Sequence, residues 1–222
     1  MECRTCAKVA GFGCAVCVGQ SNSLLSQPGI ELGRDGVSTY DYSRQTVVSG
    51  AQLTTFWKPL LARVQKGDPA LLAQLHAIYA TPDVSIDLTP NVDLWMIHDL
   101  GHACHLQHSY WFPRKWLMEL FATLCLYTYI ADQEPDLLTL TETFLRVVRK
   151  LPIRIMEHRT LSGFESLYLT LPIDNYIWFS GHFMQCAATS MLNWGSPHSG
   201  ACGRCLCLAG SKTRRMRSFG SK

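Results

Sequence analysis

Apolar residues recur with a helical period through most of the chain between Leu53 and Trp194. In "QLTTFWKPLLARVQKG" they fall at Leu53, Phe56, Trp57, Leu60, Leu61 and Val64, a one-sided pattern closed by Gly67. Asp68 and Pro69 then supply an N-cap and a first-turn proline for a second helix, "DPALLAQLHAIYA". "DVSIDL", residues 83–88, alternates apolar and polar positions and predicts a short strand. Thr89-Pro90 repeats the capping signal, so a long helix is expected from Pro90 to about His108. "SYWF" reads as a turn, and Pro113 opens the next helix, which runs to about Ala131. "EPDLLTLTETFLRVVRKL" predicts a further amphipathic helix broken by Pro152, and "NYIWFSGHFMQCAATSMLNWG" a last one ending at Gly195. The expected fold class is mainly α. A minor β element before the Pro90 helix leaves room for an α+β arrangement.

One segment departs from amphipathicity. "WLMELFATLCLYTYIA", residues 116–131, is apolar all round, as a helix through the middle of a core should be, yet it carries Glu119. An unpaired ionised carboxylate costs several kcal/mol in such a place, so Glu119 needs a partner.

Composition changes this picture at the ends. The chain is 47% apolar, which argues against disorder as its default state, and 222 residues suit one domain with tails. Seven of the ten cysteines lie in the two ends: Cys3, Cys6, Cys14 and Cys17 in the first, Cys202, Cys205 and Cys207 in the last. The expected division is a Cys-rich N-terminal tail over 1–27, a single helical domain over 28–195 and a basic, Cys-containing tail over 196–222. The paired C-x-x-C knuckles of the first tail suggest zinc, but the gap between them is shorter than the usual ~12–20 residues. The net charge of +3 hides an asymmetry: the last 27 residues hold six basic side chains and no acidic one, leaving the body mildly acidic. That tail offers phosphate attraction but no aromatic interleaving or fold motif, so nucleic acid is not an expected partner. No apolar run reaches the ~18–20 residues of a membrane span. "VAGFGCAVCVG" lacks a clear small-x-small cleavage site, and Cys104, Cys125 and Cys186 sit in apolar helical patterns as free thiols would, so the expected location is cytoplasmic.

The Pro90 helix carries "HDLGH". His98 and His102, at i and i+4, share one face and stand about 6 Å apart along the axis, a spacing at which both imidazoles reach one tetrahedral ion. His105 also falls on this face, but about 10 Å from His98, too far to join the same ion. If the two helices form a hairpin through "SYWF", His102 and Glu119 lie at equal steps from the turn and come level across an antiparallel pair. Helix axes about 8–10 Å apart allow inward side chains to meet at a metal. Glu119 would then be a third ligand, completing a two-histidine, one-carboxylate set with a position left for water, and one Zn2+ per chain is expected. A carboxylate directly after the first histidine is placed to take that water's proton, and Asp99 occupies the position.

"IHDLGHACH" followed by "WLMELFATLCLYTYIA" resembles the zincin metallopeptidases, specifically the gluzincin group, over about residues 93–131. The resemblance implies a zinc-dependent peptidase acting on a peptide or protein, with His98, His102 and Glu119 as ligands. Asp99 would stand where that group has its catalytic glutamate. "FESLYLTLPIDNYIWFSGHF" more weakly resembles the ends of small bacterial-type proteins with the same motif pair, and no role follows from it. Aspartate withdraws the carboxylate by roughly 1 Å, a displacement that can cost about 10²-fold in rate, so the expected activity is weakened or lost. No clear oxyanion donor stands out: Tyr176, His158 and His182 are eligible by type only.

Two other readings stay open at this level. "HDLGH" also resembles the metal-binding step of HD-domain phosphohydrolases, with His98 and Asp99 joined by His76 upstream and Asp132 or Asp136 downstream; this leaves Glu119 unexplained. In a non-catalytic helical protein, Arg114, Lys115 or Arg154 would neutralise Glu119, or burial would protonate it.

Overall fold

The computed structural model describes residues 57–107, 109–151 and 156–194, together with the backbone of four short strands. Helices α1 (Trp57–Lys66) and α2 (Pro69–Tyr79) follow the predicted periods, and Asp68 caps α2 by accepting from the Ala70 N–H at 2.8 Å. Helix α3 (Thr89–Gln107) starts one residue earlier than expected, where the Thr89 N–H and hydroxyl both donate to Asp87 Oδ1. Helix α4 (Lys115–Gln133) follows a turn at Ser109, which takes φ 55°. A 3-10 turn (Pro135–Leu137) leads into α5 (Leu138–Arg149), and α6 (Leu161–Leu167) precedes α7 (Ile173–Trp194). The described part is mainly α.

Two expectations are corrected here. The alternating segment 83–88 is not a strand: the described backbone gives one bridge, Ala80 to Ile86. Thr81, Asp83 and Ser85 instead bond one another and the backbone, and Val84 takes φ 66°, closing a tight turn that extended pairing cannot share. The β structure lies earlier in the chain. Strands β1 (Cys6–Lys8), β2 (Ala15–Val18), β3 (Thr39–Asp41) and β4 (Thr46–Ser49) form a sheet in the order β1-β2-β4-β3. Strand β2 runs parallel to β4, so the pairing joins the first 27 residues to the segment after them; the other two pairs are antiparallel. The sheet meets α3, where buried Val47 packs on Leu100 and Ala103.

Helix α4 is the central element, as its all-round apolarity predicts. It packs against α3, α5, α6 and α7 and buries Phe121, Ala122, Leu126 and Ile130 among its partners. The α3–α4 pair is antiparallel: His98 meets Thr123, Gly101 meets Ala122 and His105 meets Phe121. Gly101 sets the approach, because a Cβ there would stand 2.9 Å from the Ala122 Cα. The HDLGH glycine is thus a packing residue, needed where two helix backbones nearly touch. Cys104 is buried and Cys125 half-buried, while Cys186 is exposed on α7. Arg154, the C-terminal cysteines and the basic tail lie outside the described residues, as do Cys3 and Cys14.

Candidate metal centre

The helical repeat of α3 stacks four side chains in one row toward α4. Ring centroids run 4.9 Å from Trp95 to His98, 4.8 Å from His98 to His102 and 5.6 Å from His102 to His105. Glu119, in the first half of α4 and only 1% exposed, comes level with the middle two. His98 Nε2 lies 3.1 Å from Glu119 Oε2 and 3.1 Å from His102 Nε2, which in turn lies 3.4 Å from Glu119 Oε1. Three candidate donors from two helices therefore converge on one small, buried space. Such a group can hold a metal ion.

Thr123 sets the chemistry of one donor. Its hydroxyl donates to the Glu119 carbonyl at 2.8 Å, so its lone pairs face His98 Nδ1 at 3.4 Å. That places the His98 proton on Nδ1 and leaves Nε2 with a free lone pair. A lone pair facing a carboxylate oxygen at 3.1 Å is tolerable only with a cation or a shared proton between them. The His102 imidazolium is a cation within reach of both, 3.1 Å from His98 Nε2 and 3.4 Å from Glu119 Oε1. Burial disfavours charge on both partners, but the attraction between them prevails. Glu119 is held well below the usual carboxylate range chiefly by His102, and His102 is raised by Glu119 and, secondarily, by Asp99. Within the described part, which excludes Arg154, the charge balance that Glu119 requires comes from imidazole. Among the described residues, its ion pairs are to His98 and His102. Lys115 instead donates its backbone N–H to Glu165 and places Nζ 5.6 Å above the Tyr168 ring.

Asp99 is buried beside His98, close enough for its charge to act on His102 and Tyr176. His105 turns away from the shared space, its Nδ1 against the Tyr110 carbonyl at 3.3 Å and its ring among Phe112 and Phe121. The two-turn separation predicted this exclusion. His76 on α2 and Asp136 are not in the cluster, and Asp132 lies thirteen residues beyond Glu119, about 20 Å along α4. Among the described residues, the group that could hold an ion is His98, His102 and Glu119, without His76, Asp132 or Asp136.

Of the residues eligible as oxyanion donors, only Tyr176 is at the site, and its hydroxyl donates to Glu119 Oε2 at 2.7 Å. His158 sits beside Glu157, and His182 packs on Trp178 with Arg149 nearby. Sequence reasoning missed Thr123 and Tyr168, whose hydroxyl donates to Glu119 Oε1. Thr123 had a signal, a hydroxyl one turn from Glu119 in an otherwise apolar helix; Tyr168 had none. The chain matches no protein family, no curated protein and no solved structure.

Proposed function

We propose that this chain is a zinc-dependent hydrolase of the zincin kind, acting on peptide bonds, in which His98, His102 and Glu119 hold the ion and Asp99 is the base. One observation carries this reading: the 3.1, 3.1 and 3.4 Å separations within the His98, His102 and Glu119 group. Ligand atoms about 2.0–2.1 Å from a tetrahedral zinc stand about 3.3 Å apart, close to the 3.1 Å between the two imidazole nitrogens and to the 3.1 and 3.4 Å from each of them to a different oxygen of Glu119. Two imidazoles and one carboxylate are the set that suits zinc with a position to spare. Bound there, the ion would act as a Lewis acid and bring the pKa of water down to about 7.

The residues around it divide the remaining work. Thr123 fixes the His98 tautomer, so that Nε2 faces the shared space with its lone pair. Asp99 follows His98 on α3, takes the proton of the attacking water and returns it to the leaving amine. Its short side chain holds the carboxylate back, which favours slow turnover, and leaves a second reading as a metal-binding protein without hydrolysis.

Two variants separate the readings. Metal analysis of the purified full chain should find about one zinc, which Glu119→Gln abolishes and Asp99→Asn retains while losing hydrolysis of an unstructured peptide mixture. Asp99→Glu should raise that hydrolysis by up to about 10²-fold. Metal loss from Asp99→Asn with retention in Glu119→Gln would overturn the ligand assignment. An inactive Asp99→Glu variant that still holds zinc would leave the second reading.

A further inference from the structure

Glu119 has more partners than a ligand needs. Each carboxylate oxygen lies between one imidazole and one phenol: Oε2 between His98 and Tyr176, Oε1 between His102 and Tyr168. The phenols come from elements other than the ligand helices. Tyr168 directly follows α6 and Tyr176 lies in the first turn of α7. Both rings pack on fully buried Phe164, at 5.6 and 6.3 Å between centroids, and Phe164 is wedged in turn against Phe179 and Phe183. The Lys115 N–H bond to Glu165 ties the start of α4 to α6, so the phenols and the carboxylate share one rigid frame.

We infer that Tyr168 and Tyr176 are positioning residues for the third ligand: they grip Glu119 at both oxygens and hold its carboxylate toward His98 and His102. A carboxylate has about four lone-pair sites, of which the phenols take one on each oxygen. Two fixed donors stop rotation of the carboxylate plane, which a single donor leaves free. A cation entering between the imidazoles and Glu119 replaces the imidazole contacts and leaves both phenol contacts in place. The grip thus persists in the loaded site, where outer-shell hydrogen bonds of this kind set affinity. The inference rests on the metal-centre reading above.

The test uses the full chain and zinc competition against a chromophoric chelator, with Co2+ absorption as a second readout. Tyr168→Phe and Tyr176→Phe should each weaken zinc binding about 10–100-fold and alter the visible Co2+ bands. Tyr127→Phe is the control. Its hydroxyl donates to Glu142 at 2.8 Å from the same helix as Glu119, and its loss should change neither readout. Wild-type chain that binds zinc, with both tyrosine variants binding within twofold of it, would overturn the grip and leave the metal centre standing. A wild-type chain that binds no zinc would overturn both. Should Tyr176→Phe fail to fold, Tyr168→Phe, at the end of a short helix, decides between the same outcomes.

Discussion

His105 shares a helix face with two candidate ligands yet is built as a core residue. Burial, and secondarily the neighbouring His102 charge, lower its pKa to about 4, although the Tyr110 carbonyl and Glu119 pull the other way. An imidazole with an ordinary pKa of about 6.5 binds protons in the unfolded chain over a range where the folded one does not. Stability should therefore fall as pH drops from about 6.5 to about 4. His105→Phe, matched to a site lined by Phe112 and Phe121, should flatten that part of the curve in thermal melts of chelator-treated protein. His102 has the opposite sign: its raised pKa gives stability that is complete below the ordinary value and lost as pH rises through the folded one. Equal slopes in wild type and variant would show that His105 titrates normally. At this scale the His98, His102 and Glu119 group was legible because its signals are local: a histidine pair at i and i+4, and one carboxylate in an apolar helix. The tyrosines were not, since a hydroxyl 49 or 57 residues away leaves no mark in the period of α4.

Among elements, the α3–α4 pair was legible because its limits are chemical, with Thr89-Pro90 at one end and the Ser109–Phe112 turn between. Its closeness depends on Gly101. Gly101→Ala gains about 1 kcal/mol in helix propensity, but a methyl 2.9 Å from the Ala122 backbone forces the helices apart, and overpacking of this kind costs about 1–3 kcal/mol. Backbone cannot swing aside as a side-chain tip can, so the balance falls on the destabilising side. The variant should melt lower and retain less zinc; unchanged values in both would show that α3 shifts freely. Helix α6 was not legible for the converse reason. Its seven residues bury only Phe164, so no apolar period forms, and its place is fixed by the Thr160 cap and the aromatic cluster.

For the whole molecule, the ion would cross-link the hairpin to which α5, α6 and α7 are attached through α4. Ligand at about 100 times its Kd adds about 2.7 kcal/mol to stability. In a chain of this size that corresponds to a Tm difference of roughly 5–10 °C at ~2–4 °C per kcal/mol. Chelation should lower Tm by that amount and zinc should restore it, and a melt indifferent to both would count against a structural share for the ion. No described helix is long and apolar enough to cross a membrane. The mainly α character was legible from helical periods spread over most of the body. The sheet was not, because strands of three and four residues in glycine-punctuated sequence are too short to show alternation.

The ligand positions also bear on the order in which the molecule assembles. His98 and Glu119 are 21 residues apart, and one tight turn brings them together. The entropy of closing so short a loop is small, whereas the phenols must be recruited across separations of 49 and 57 residues. The hairpin can therefore gather its candidate donors while the rest of the chain is still open, and docking of the later helices then fixes the Glu119 carboxylate among them.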